Sequence, residues 1–432
     1  MPDPLERDAP GCVYISTARP AVRTSPLRDD VDADAAVVGA GYTGLSAALT
    51  LAERGHRVVV LEAHEPGWGA AGRNGGQVNP GFKHEPDTVE ADLGPVYGPR
   101  MVRLAGEAPD YLFGLIDRLG IDCEARRAGT VRAARRLQHQ AELADSVEQW
   151  RRRGVELQLW DDGQVAAATG TGHFVAATFD PRGGAVNPLG LARGLAAAAT
   201  AAGAHIHGDS RALALEREGS GWRVRTAGGS VRADSVVLAT DGYSDDLWPG
   251  LRTSIIPIHS SIIASEPLPP ALGAAVLPSN VVVYESGDLT VYYRRDRDGR
   301  LLMGGRGRQR NSTTRSDYAH LIRHALRLWP RLACVNWTHW WSGQFALTPD
   351  FYPRFHVPAP GLFIALGYSG RGVALGTAVG AQLAAAAAGA APESLSIPAT
   401  RIAPVPFHRF WPLGVAGRVA CSRLMERLGL SD

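Results

Sequence analysis

Apolar residues between positions 35 and 61 change their spacing twice, and these changes predict three consecutive elements. The continuous apolar run Ala35–Val38 is typical of a strand buried on both faces. After a glycine-rich turn, residues Leu45, Ala48, Leu49 and Ala52 recur at helical spacing until Gly55 ends the helix. A second apolar run, Val58–Leu61, follows at once. The pattern predicts a βαβ unit with parallel strands.

Similar signals return far along the chain. Asn187-Pro188 opens a helical stretch, and strand-like runs occur at 204–207, 235–239 and 362–366. These pieces predict one sheet assembled from distant segments. Alternating runs between them, such as 281–284, favour a second and mostly antiparallel sheet. We therefore predict an α/β fold in which an antiparallel α+β domain is inserted into a parallel, Rossmann-like domain.

The predicted boundaries divide the chain into an arm and two interleaved domains. Residues 1–30 are polar and proline-rich, which indicates an arm laid over the surface. The predicted segments are 31–95, 181–255 and 345–432 for the parallel domain, and 96–180 and 256–344 for the inserted domain.

Two later segments bear on membranes. The run 373–391 is mainly Ala and Gly, which predicts a buried helix and no membrane span. Residues 415–428 are amphipathic, and for them packing on their own domain is favoured over docking on a membrane that carries a quinone.

Charge and cysteine content narrow the function classes. The formal net charge is +2, from 45 basic and 43 acidic residues, so nucleic acid is not expected as a partner. The four cysteines are far apart and include no CxxC pair, so we expect no zinc site and no disulfide framework. Acids and prolines near Met1 are not typical of a secretion signal, so we expect none, and we expect a reducing, cytoplasmic setting.

The turn inside the first βαβ unit carries the pattern GxGxxG. Gly39 would allow the tight turn, Gly41 would let the backbone approach a pyrophosphate, and Gly44 would let helix and strand pack closely. Glu62 ends the next strand, where it would accept hydrogen bonds from an adenosine ribose. This fingerprint indicates a dinucleotide and leaves FAD and NAD equally possible.

The next motif favours FAD. Residues 67–77 form a glycine-rich loop directly after the ribose acid, and such a loop lets main chain pass close to a flat ring. An isoalloxazine ring requires that approach. Arg73, Asn74 and Gln77 within the loop offer hydrogen bonds, whereas a flexible surface loop is the alternative interpretation.

At this point the chain resembles a known family. The run 37–46, the loop 72–77 and the segment 367–373 occur in the order found in D-amino-acid-oxidase-type FAD-dependent oxidoreductases, and within that group they are most similar to gamma-glutamylputrescine oxidoreductases. Residues 292–294 and 341–343 resemble the same group. The likeness covers the chain from about Asp34 onward, and it implies a glutathione-reductase-like FAD-binding domain.

The resemblance implies a set of cofactor contacts. The GxGxxG turn with Glu62 and Ala63 would hold the adenosine diphosphate half, and Thr240 to Gly242 would close over it. The loop before Gln77 would line the flavin, and the helix start near Val373 would face its pyrimidine end. The implied positions are Gly39, Gly41, Tyr42, Thr43, Gly44, Glu62, Ala63, Gly69, Ala71, Gly72, Arg73, Asn74, Gly75, Gly76, Gln77, Thr240, Asp241, Gly242, Gly367, Tyr368, Ser369, Gly370, Arg371, Gly372 and Val373.

The same resemblance implies the reaction. Flavin would take a hydride from the carbon next to nitrogen of a small amine or N-substituted amino acid, and the imine would hydrolyse to a carbonyl compound and an amine. The electron acceptor would be oxygen or a quinone. We expect noncovalent FAD, with Cys334 and His259 as the remaining candidates for a covalent link.

Candidate substrate residues come from the inserted domain and the last loop. They are Tyr284, Tyr293, Arg306, Gln344 and Arg371. Trp337, Trp340 and Trp341 would form either an aromatic wall for the amine or a domain-interface core. His320 and His324 lack a third ligand, so no metal is expected. A nicotinamide-dependent dehydrogenase and a flavin-binding protein without turnover stay open as alternatives.

Overall fold

The computed structural model describes residues 11–287, 290–310, 312 and 314–428, and two large sheets run through them. The strands, numbered along the chain, are β1 Val31–Val38, β2 Val58–Leu61, β3 Gln77–Val78, β4 Thr130–Ala134, β5 Gln158–Asp161, β6 Ala176–Asp180, β7 Gly184–Ala185, β8 His205–His207, β9 Ala214–Glu218, β10 Gly221–Arg225, β11 Ser230–Leu238, β12 Ile256–Pro267, β13 Val282–Glu285, β14 Val291–Arg295, β15 Arg300–Arg306, β16 Trp337–Leu347, β17 Arg354–Ala359 and β18 Leu362–Leu366.

Ten α-helices lie within the described part of the chain. They are α1 Tyr14–Thr17, α2 Tyr42–Glu53, α3 Pro86–Leu119, α4 Gln138–Arg151, α5 Asp162–Thr169, α6 Pro188–Ala201, α7 Pro270–Gly273, α8 Ala319–Leu328, α9 Gly372–Ala387 and α10 Trp411–Leu428. Among these residues, no helix combines the length and the apolar character needed to cross a bilayer.

The first sheet confirms the prediction of a parallel domain built from distant segments. Its order is β17-β18-β11-β1-β2-β8, and β1 runs parallel to both β2 and β11. Val37 of β1 pairs with Val60 and Val237 and is fully buried. Because helices cover both faces of such a sheet, its strands read as continuous apolar runs rather than as alternating ones.

The second sheet has the order β16-β12-β15-β14-β13-β4-β6-β5. Its neighbouring strands are antiparallel apart from the pair β13 and β4, which run parallel. Residues of both sheets line one cavity.

Helix α3 crosses the boundary that the sequence placed at residue 95. The helix is kinked at Gly94, where φ is +72°, and it continues to Leu119. Its buried residues, including Met101 and Leu112, join the core of the first sheet. A division of the chain at 95/96 lies directly after the non-helical residue Gly94, and the domain boundaries remain a proposal.

Three residues near the start of the predicted surface arm are buried, whereas most of residues 15–30 are exposed or half-buried. Cys12, Val13 and Tyr14 are buried, and the Tyr14 ring meets Trp341 edge to face at 5.1 Å between centroids. These residues share a small core with Leu189 of the first domain and Ile262 of the second. The reason is that apolar side chains close to the chain start fill the seam between the two sheets.

Candidate active site

The turn between β1 and α2 has three glycines with three different roles. Gly39 has φ of +103°, and a Cβ there would lie 2.7 Å from the carbonyl oxygen of Ala239. A Cβ on Gly44 would collide with the carbonyl oxygen of Gly39. A Cβ on Gly41 would meet only the Cβ of Ala71, at 3.8 Å. The first and third glycines thus close the turn, while the second keeps open space in front of the helix N-terminus.

That open space fits a pyrophosphate. Helix α2 begins at Tyr42, directly after Gly41, so its unsatisfied backbone N–H groups and the positive end of its dipole face the space. Tyr42 and Thr43 line the same cavity. A side chain on Gly41 would occupy the space that a pyrophosphate needs. The absence of a side chain at this position therefore fits a bound dinucleotide.

Glu62 lies at the end of β2, as predicted, and the protein already orients it. Its two carboxylate oxygens accept hydrogen bonds from the backbone N–H groups of Ala40, at 2.7 Å, and His64, at 3.0 Å. Burial raises the pKa of Glu62 above its ordinary value. Each oxygen keeps a further lone pair for a hydroxyl donor such as a ribose.

Asp241 ties three segments together below the cavity. Its carboxylate accepts hydrogen bonds from the N–H groups of Gly367, at 2.8 Å, and Ala346, at 3.3 Å. The backbone of Asp241 is left-handed, with φ of +40°, and burial raises the pKa of its side chain. Thr240 and Asp241 line the cavity, whereas Gly242 packs under Phe345.

The glycine-rich loop holds itself in place with its own polar side chains. The amide nitrogen of Asn74 donates to the carbonyl oxygens of Ala70 and Ala71, at 3.0 Å each, and its oxygen accepts from the N–H of Gly76. Arg73 Nε donates to the carbonyl oxygen of Trp68 at 2.7 Å. These donors and this acceptor hold the loop, and both residues also line the cavity, so their contact with a flavin stays a prediction.

Buried residues of the second sheet support the loop from below. Arg294 Nε donates to the carbonyl oxygen of Gly75 at 2.6 Å, and Gln77 Nε2 donates to the carbonyl oxygen of Val283 at 2.9 Å. Trp341 Nε1 donates to the carbonyl oxygen of Arg73 at 2.9 Å. Sequence reasoning assigned no role to Arg294. The only feature of the sequence that could have indicated this role is a charged residue within a strand. Side chains alternate along a strand, and this alternation places Arg294 on the face toward the loop.

The segment 367–373 turns sharply before α9 begins. Gly367, Ser369 and Gly370 all have left-handed backbones, with φ of +82°, +52° and +89°. The hydroxyl of Tyr368 lies 2.8 Å from Thr43 Oγ1, which links this turn to the start of α2. Helix α9 starts at Gly372, so its N-terminal N–H groups also face the cavity.

Arg371 is the charged group that this turn presents. Its guanidinium lies 4.9 Å from the ring centroid of Tyr284, and Nη2 donates to the Tyr284 hydroxyl at 3.3 Å. Nη1 is buried and has no hydrogen-bond partner among the described residues. A buried guanidinium nitrogen that lacks an acceptor is matched by an anionic or carbonyl group of a ligand.

One cavity of about 1090 Å³ connects these features. From the first sheet it is lined by the turn at 39–43 and by Glu62 and Ala63, and from the second by Tyr284, Arg306 and Gln344. The glycine-rich loop contributes further lining residues, which are Gly69, Ala71, Arg73, Asn74, Gly75 and Gln77. The other predicted glycines do not line the cavity but belong to the turns next to it; they are Gly44, Gly72, Gly76, Gly242 and Gly367.

Tyr293 does not belong to the cavity. Its ring is fully buried in the core of the second sheet and meets Trp329 edge to face at 5.3 Å. Because side chains alternate along β14, the preceding Tyr292 faces the cavity and its hydroxyl lies 3.0 Å from Ser260 Oγ. Tyr292 therefore replaces Tyr293 among the candidate substrate residues.

The structure also gives the positions of the tryptophan cluster and of the two residues considered for a covalent link to FAD. Trp337 and Trp340 pack with the second-sheet core and Trp341 with Tyr14, and none of the three lines the cavity, so they form core rather than an aromatic wall. Cys334 is exposed and away from the cavity. His259 lines the cavity, and its Nδ1 is buried without a partner among the described residues.

Comparison with known proteins assigns the family. The sequence profile of the DAO family, described as FAD dependent oxidoreductase, matches residues 34–386. Gamma-glutamylputrescine oxidoreductase of Escherichia coli is 34% identical over 367 residues, which are 83% of this chain and 84% of that protein. A probable oxidoreductase, OrdL, of Haemophilus influenzae is 31% identical over 390 residues, which are 89% of each chain.

Solved structures agree on the fold. Glycine oxidase from Geobacillus kaustophilus superposes with a TM-score of 0.70 at 24% identity, covering 83% of this chain and 95% of that chain. L-Amino acid deaminase from Proteus myxofaciens gives a TM-score of 0.72 at 17% identity, covering 90% and 96%. The chain belongs to the DAO family of FAD dependent oxidoreductases, and it is therefore an enzyme whose cofactor is FAD.

Proposed function

We propose that this enzyme oxidises the C–N bond of a small amine or N-substituted amino acid. One observation carries the proposal: the dinucleotide turn, the glycine-rich loop and a set of polar side chains from the second sheet all line a single cavity. Two relatives are named for reactions on amine compounds, gamma-glutamylputrescine and glycine. Family membership sets aside the nicotinamide-dependent dehydrogenase and the flavin-binding protein without turnover.

The residues that would hold FAD follow from the geometry of the cavity. Gly41 and the start of α2 would take the pyrophosphate, Glu62 the adenosine ribose, and the backbone of the loop 69–77 the ring system. The binding would be noncovalent. When bound, FAD supplies the acceptor for a hydride from the carbon next to nitrogen, and the oxidised substrate, an imine, hydrolyses to a carbonyl compound and an amine.

The chain must place the reacting C–H bond and keep the substrate amine neutral. Placement to within about 3 to 3.5 Å of an acceptor is the kind of task that oriented polar contacts perform. A positive guanidinium near the amine disfavours the protonated ammonium form, because like charges repel. Arg371 is suited to both tasks, since it is stacked on Tyr284 and one nitrogen is left without an acceptor.

Arg371 also favours a substrate with a carboxylate or a similar acceptor. A guanidinium that is already oriented binds a carboxylate at a lower entropic cost than a mobile side chain does. Arg306 and Gln344 line the same part of the cavity, although the amide nitrogen of Gln344 already donates to the carbonyl oxygen of Gly242. The preferred substrate is accordingly an amine with an acidic group within reach of Arg371.

The decisive experiment is an anaerobic visible spectrum of the purified holoenzyme during titration with paired substrates. Each pair consists of an N-substituted amino acid and its carboxamide. We expect loss of the flavin absorbance with the amino acid and much slower loss with the amide. A flavin that no amine or amino acid in the panel reduces would contradict the proposed reaction.

The electron acceptor is tested on the same sample. After substrate has reduced the holoenzyme, air or a soluble quinone is added, and recovery of the absorbance is followed. Rapid recovery in air identifies an oxidase, and recovery with the quinone alone identifies a dehydrogenase.

A further inference from the structure

The chain end is more basic than the rest of the molecule. Between residues 394 and 428 the sequence contains one acid, Glu426, and five arginines: Arg401, Arg409, Arg418, Arg423 and Arg427. The whole chain, by contrast, is nearly balanced, with 45 basic and 43 acidic residues. The family match ends at residue 386, before this segment begins.

Contacts just before α10 fix the direction of this segment. The N–H of Val405 donates to the carbonyl oxygen of Thr253 at 2.8 Å, and His408 Nε2 lies 2.9 Å from the carbonyl oxygen of Ile255. Between these two anchors, Phe407 has a left-handed backbone with φ of +55°. The chain is thus attached to the body on both sides of an aromatic residue that it does not bury.

Large apolar side chains are exposed at and after this anchor. Phe407 is 83% exposed, Leu413 is 71% exposed and Phe410 is 46% exposed. The guanidinium of Arg409 lies over the ring of Phe410, 4.6 Å from its centroid. These three large apolar residues lie within seven positions and form an exposed apolar patch. Exposing such a patch to water is energetically unfavourable, and patches of this kind mark contact surfaces.

We propose that residues 401–418 dock on an anionic lipid surface, with Phe407, Phe410 and Leu413 entering the headgroup region and the exposed Arg401 and Arg409 facing the lipid phosphates. Exposed aromatic and aliphatic residues beside arginines are the combination that interfacial helices use. The amphipathic pattern of residues 415–428 favours packing of this segment on its own domain. The exposure of the residues that lead into α10 argues instead for a surface outside the molecule.

Charge distinguishes a lipid surface from a second copy of the chain. Two copies of residues 394–428 would bring together five arginines each, with a single acid in each to offset them, and like charges repel. An anionic bilayer offers the opposite charge and an apolar interior, so it complements both features of the segment. Within the described residues no helix is apolar and long enough to span a bilayer, which matches docking on the surface.

The test uses flotation of the full-length holoenzyme with vesicles. The vesicles contain either 70% phosphatidylcholine and 30% phosphatidylglycerol or phosphatidylcholine alone. We expect binding to the anionic vesicles at 0.1 M NaCl, and at least about tenfold weaker binding to neutral vesicles or at 0.5 M NaCl. Binding that ignores both lipid charge and salt would overturn the proposal, as would the absence of binding.

A matched pair of variants locates the surface. The double variant Phe407→Ser/Leu413→Ser should lower partitioning into anionic vesicles at least about tenfold, because two apolar side chains are removed from the interface. Leu137→Ser removes a leucine of the same 71% exposure elsewhere on the molecule and should leave partitioning unchanged. Equal partitioning of the double variant and the parent would overturn the proposal.

Two further measurements identify a different occupant. Light scattering that shows a dimer in the parent and a monomer in Phe407→Ser/Leu413→Ser would assign the patch to a second copy. A thermal unfolding midpoint that falls in the double variant, but not in Leu137→Ser, would assign it to the body of the same chain. Unchanged mass, unchanged midpoint and unchanged FAD content, together with lost vesicle binding, would support the lipid surface.

Discussion

The two ends of the cavity are built in different ways. At the first-sheet end, the key positions are glycines within six residues of one another, followed by one carboxylate at the end of the next strand. At the second-sheet end, the lining is side chains from separate strands and from the loop before α9. The first end is a local structure, whereas the second exists only after strands far apart in sequence have paired.

Because the two ends are built differently, substitutions at each end should impair the enzyme in different ways. A backbone site fails by steric collision, because an added methyl group has nowhere to go. A side-chain site keeps its shape after one substitution but loses a specific interaction with the ligand. Substitutions at the two ends should therefore separate protein stability and cofactor binding on one side from substrate preference on the other.

The largest effects are expected at the glycine turn. Gly44→Ala should destabilise the protein by about 2 to 4 kcal/mol, since its Cβ would collide with the carbonyl oxygen of Gly39. Gly41→Val should leave the apoprotein folded but weaken FAD binding at least about 100-fold, because its side chain would occupy the pyrophosphate space. Urea unfolding of the apoprotein and fluorescence titration with FAD measure the two quantities.

Gly114→Ala is the control for this pair. Gly114 lies inside α3, and a Cβ there would meet nothing within 4 Å. The variant should gain about 0.5 to 1 kcal/mol from helix propensity. If Gly41→Val unfolds the apoprotein as strongly as Gly44→Ala does, the division of roles between the two glycines is wrong.

The next largest effect is expected at Arg371. Arg371→Gln should lower kcat/KM about 100-fold for a carboxylate substrate and by less than about threefold for its carboxamide, since a charged pair is lost only in the first case. FAD content should not change. Arg211→Gln, at the nucleotide end of the same cavity, is the control and should not alter this ratio. Equal losses for the acid and the amide would mean that Arg371 only shapes the loop.

Glu62 should give a smaller effect that depends on pH. Burial raises its pKa in the folded apoprotein, so the folded state binds the proton more tightly than the unfolded state does. The stability of the apoprotein is therefore expected to fall as pH rises from about 4, the ordinary range of a glutamate, through the higher folded pKa. Burial of Asp241 acts with the same sign.

Substitution isolates the contribution of Glu62. In Glu62→Gln the fall in apoprotein stability with rising pH should be smaller, and the affinity for FAD should drop about tenfold because a charge-assisted ribose hydrogen bond is lost. Urea unfolding of parent and variant at matched pH values gives the first result, and FAD titration gives the second. Parallel pH profiles for the two proteins would contradict the raised pKa.

The smallest effects distinguish the two neighbouring tyrosines of β14. Tyr293→Phe should change stability by less than about 0.5 kcal/mol and leave activity unchanged, because its buried hydroxyl has no partner among the described residues. Tyr292→Phe should cost about 1 kcal/mol through the lost contact with Ser260 and raise KM a few-fold. Steady-state kinetics and thermal unfolding of both variants measure these effects. A larger kinetic effect for Tyr293→Phe than for Tyr292→Phe would mean that Tyr293, and not Tyr292, faces the substrate.

Elements that depend only on neighbouring residues could be predicted from the amino-acid pattern. The strand predicted at 362–366 is β18, and the helix predicted from 373 is α9, which begins one residue earlier. The GxGxxG turn and the acid that follows it were also predicted, because a strand, a tight turn and a helix start are each encoded within a few positions. These local rules predict a dinucleotide site, the glycine-rich loop that follows favours FAD, and the resemblance of the motifs to a known family implies the reaction.

Strand pairing and packing between the sheets determine which side chains meet at the other end of the cavity. The facing of Tyr292 and Tyr293 depends on the pairing of β14 with β13 and β15, and a shift of one residue would exchange them. The burial of Tyr14 against Trp341, and the support that Arg294 gives to Gly75, join residues more than 200 positions apart. Such contacts arise from the packing of two sheets against each other, and no local pattern in the chain records them.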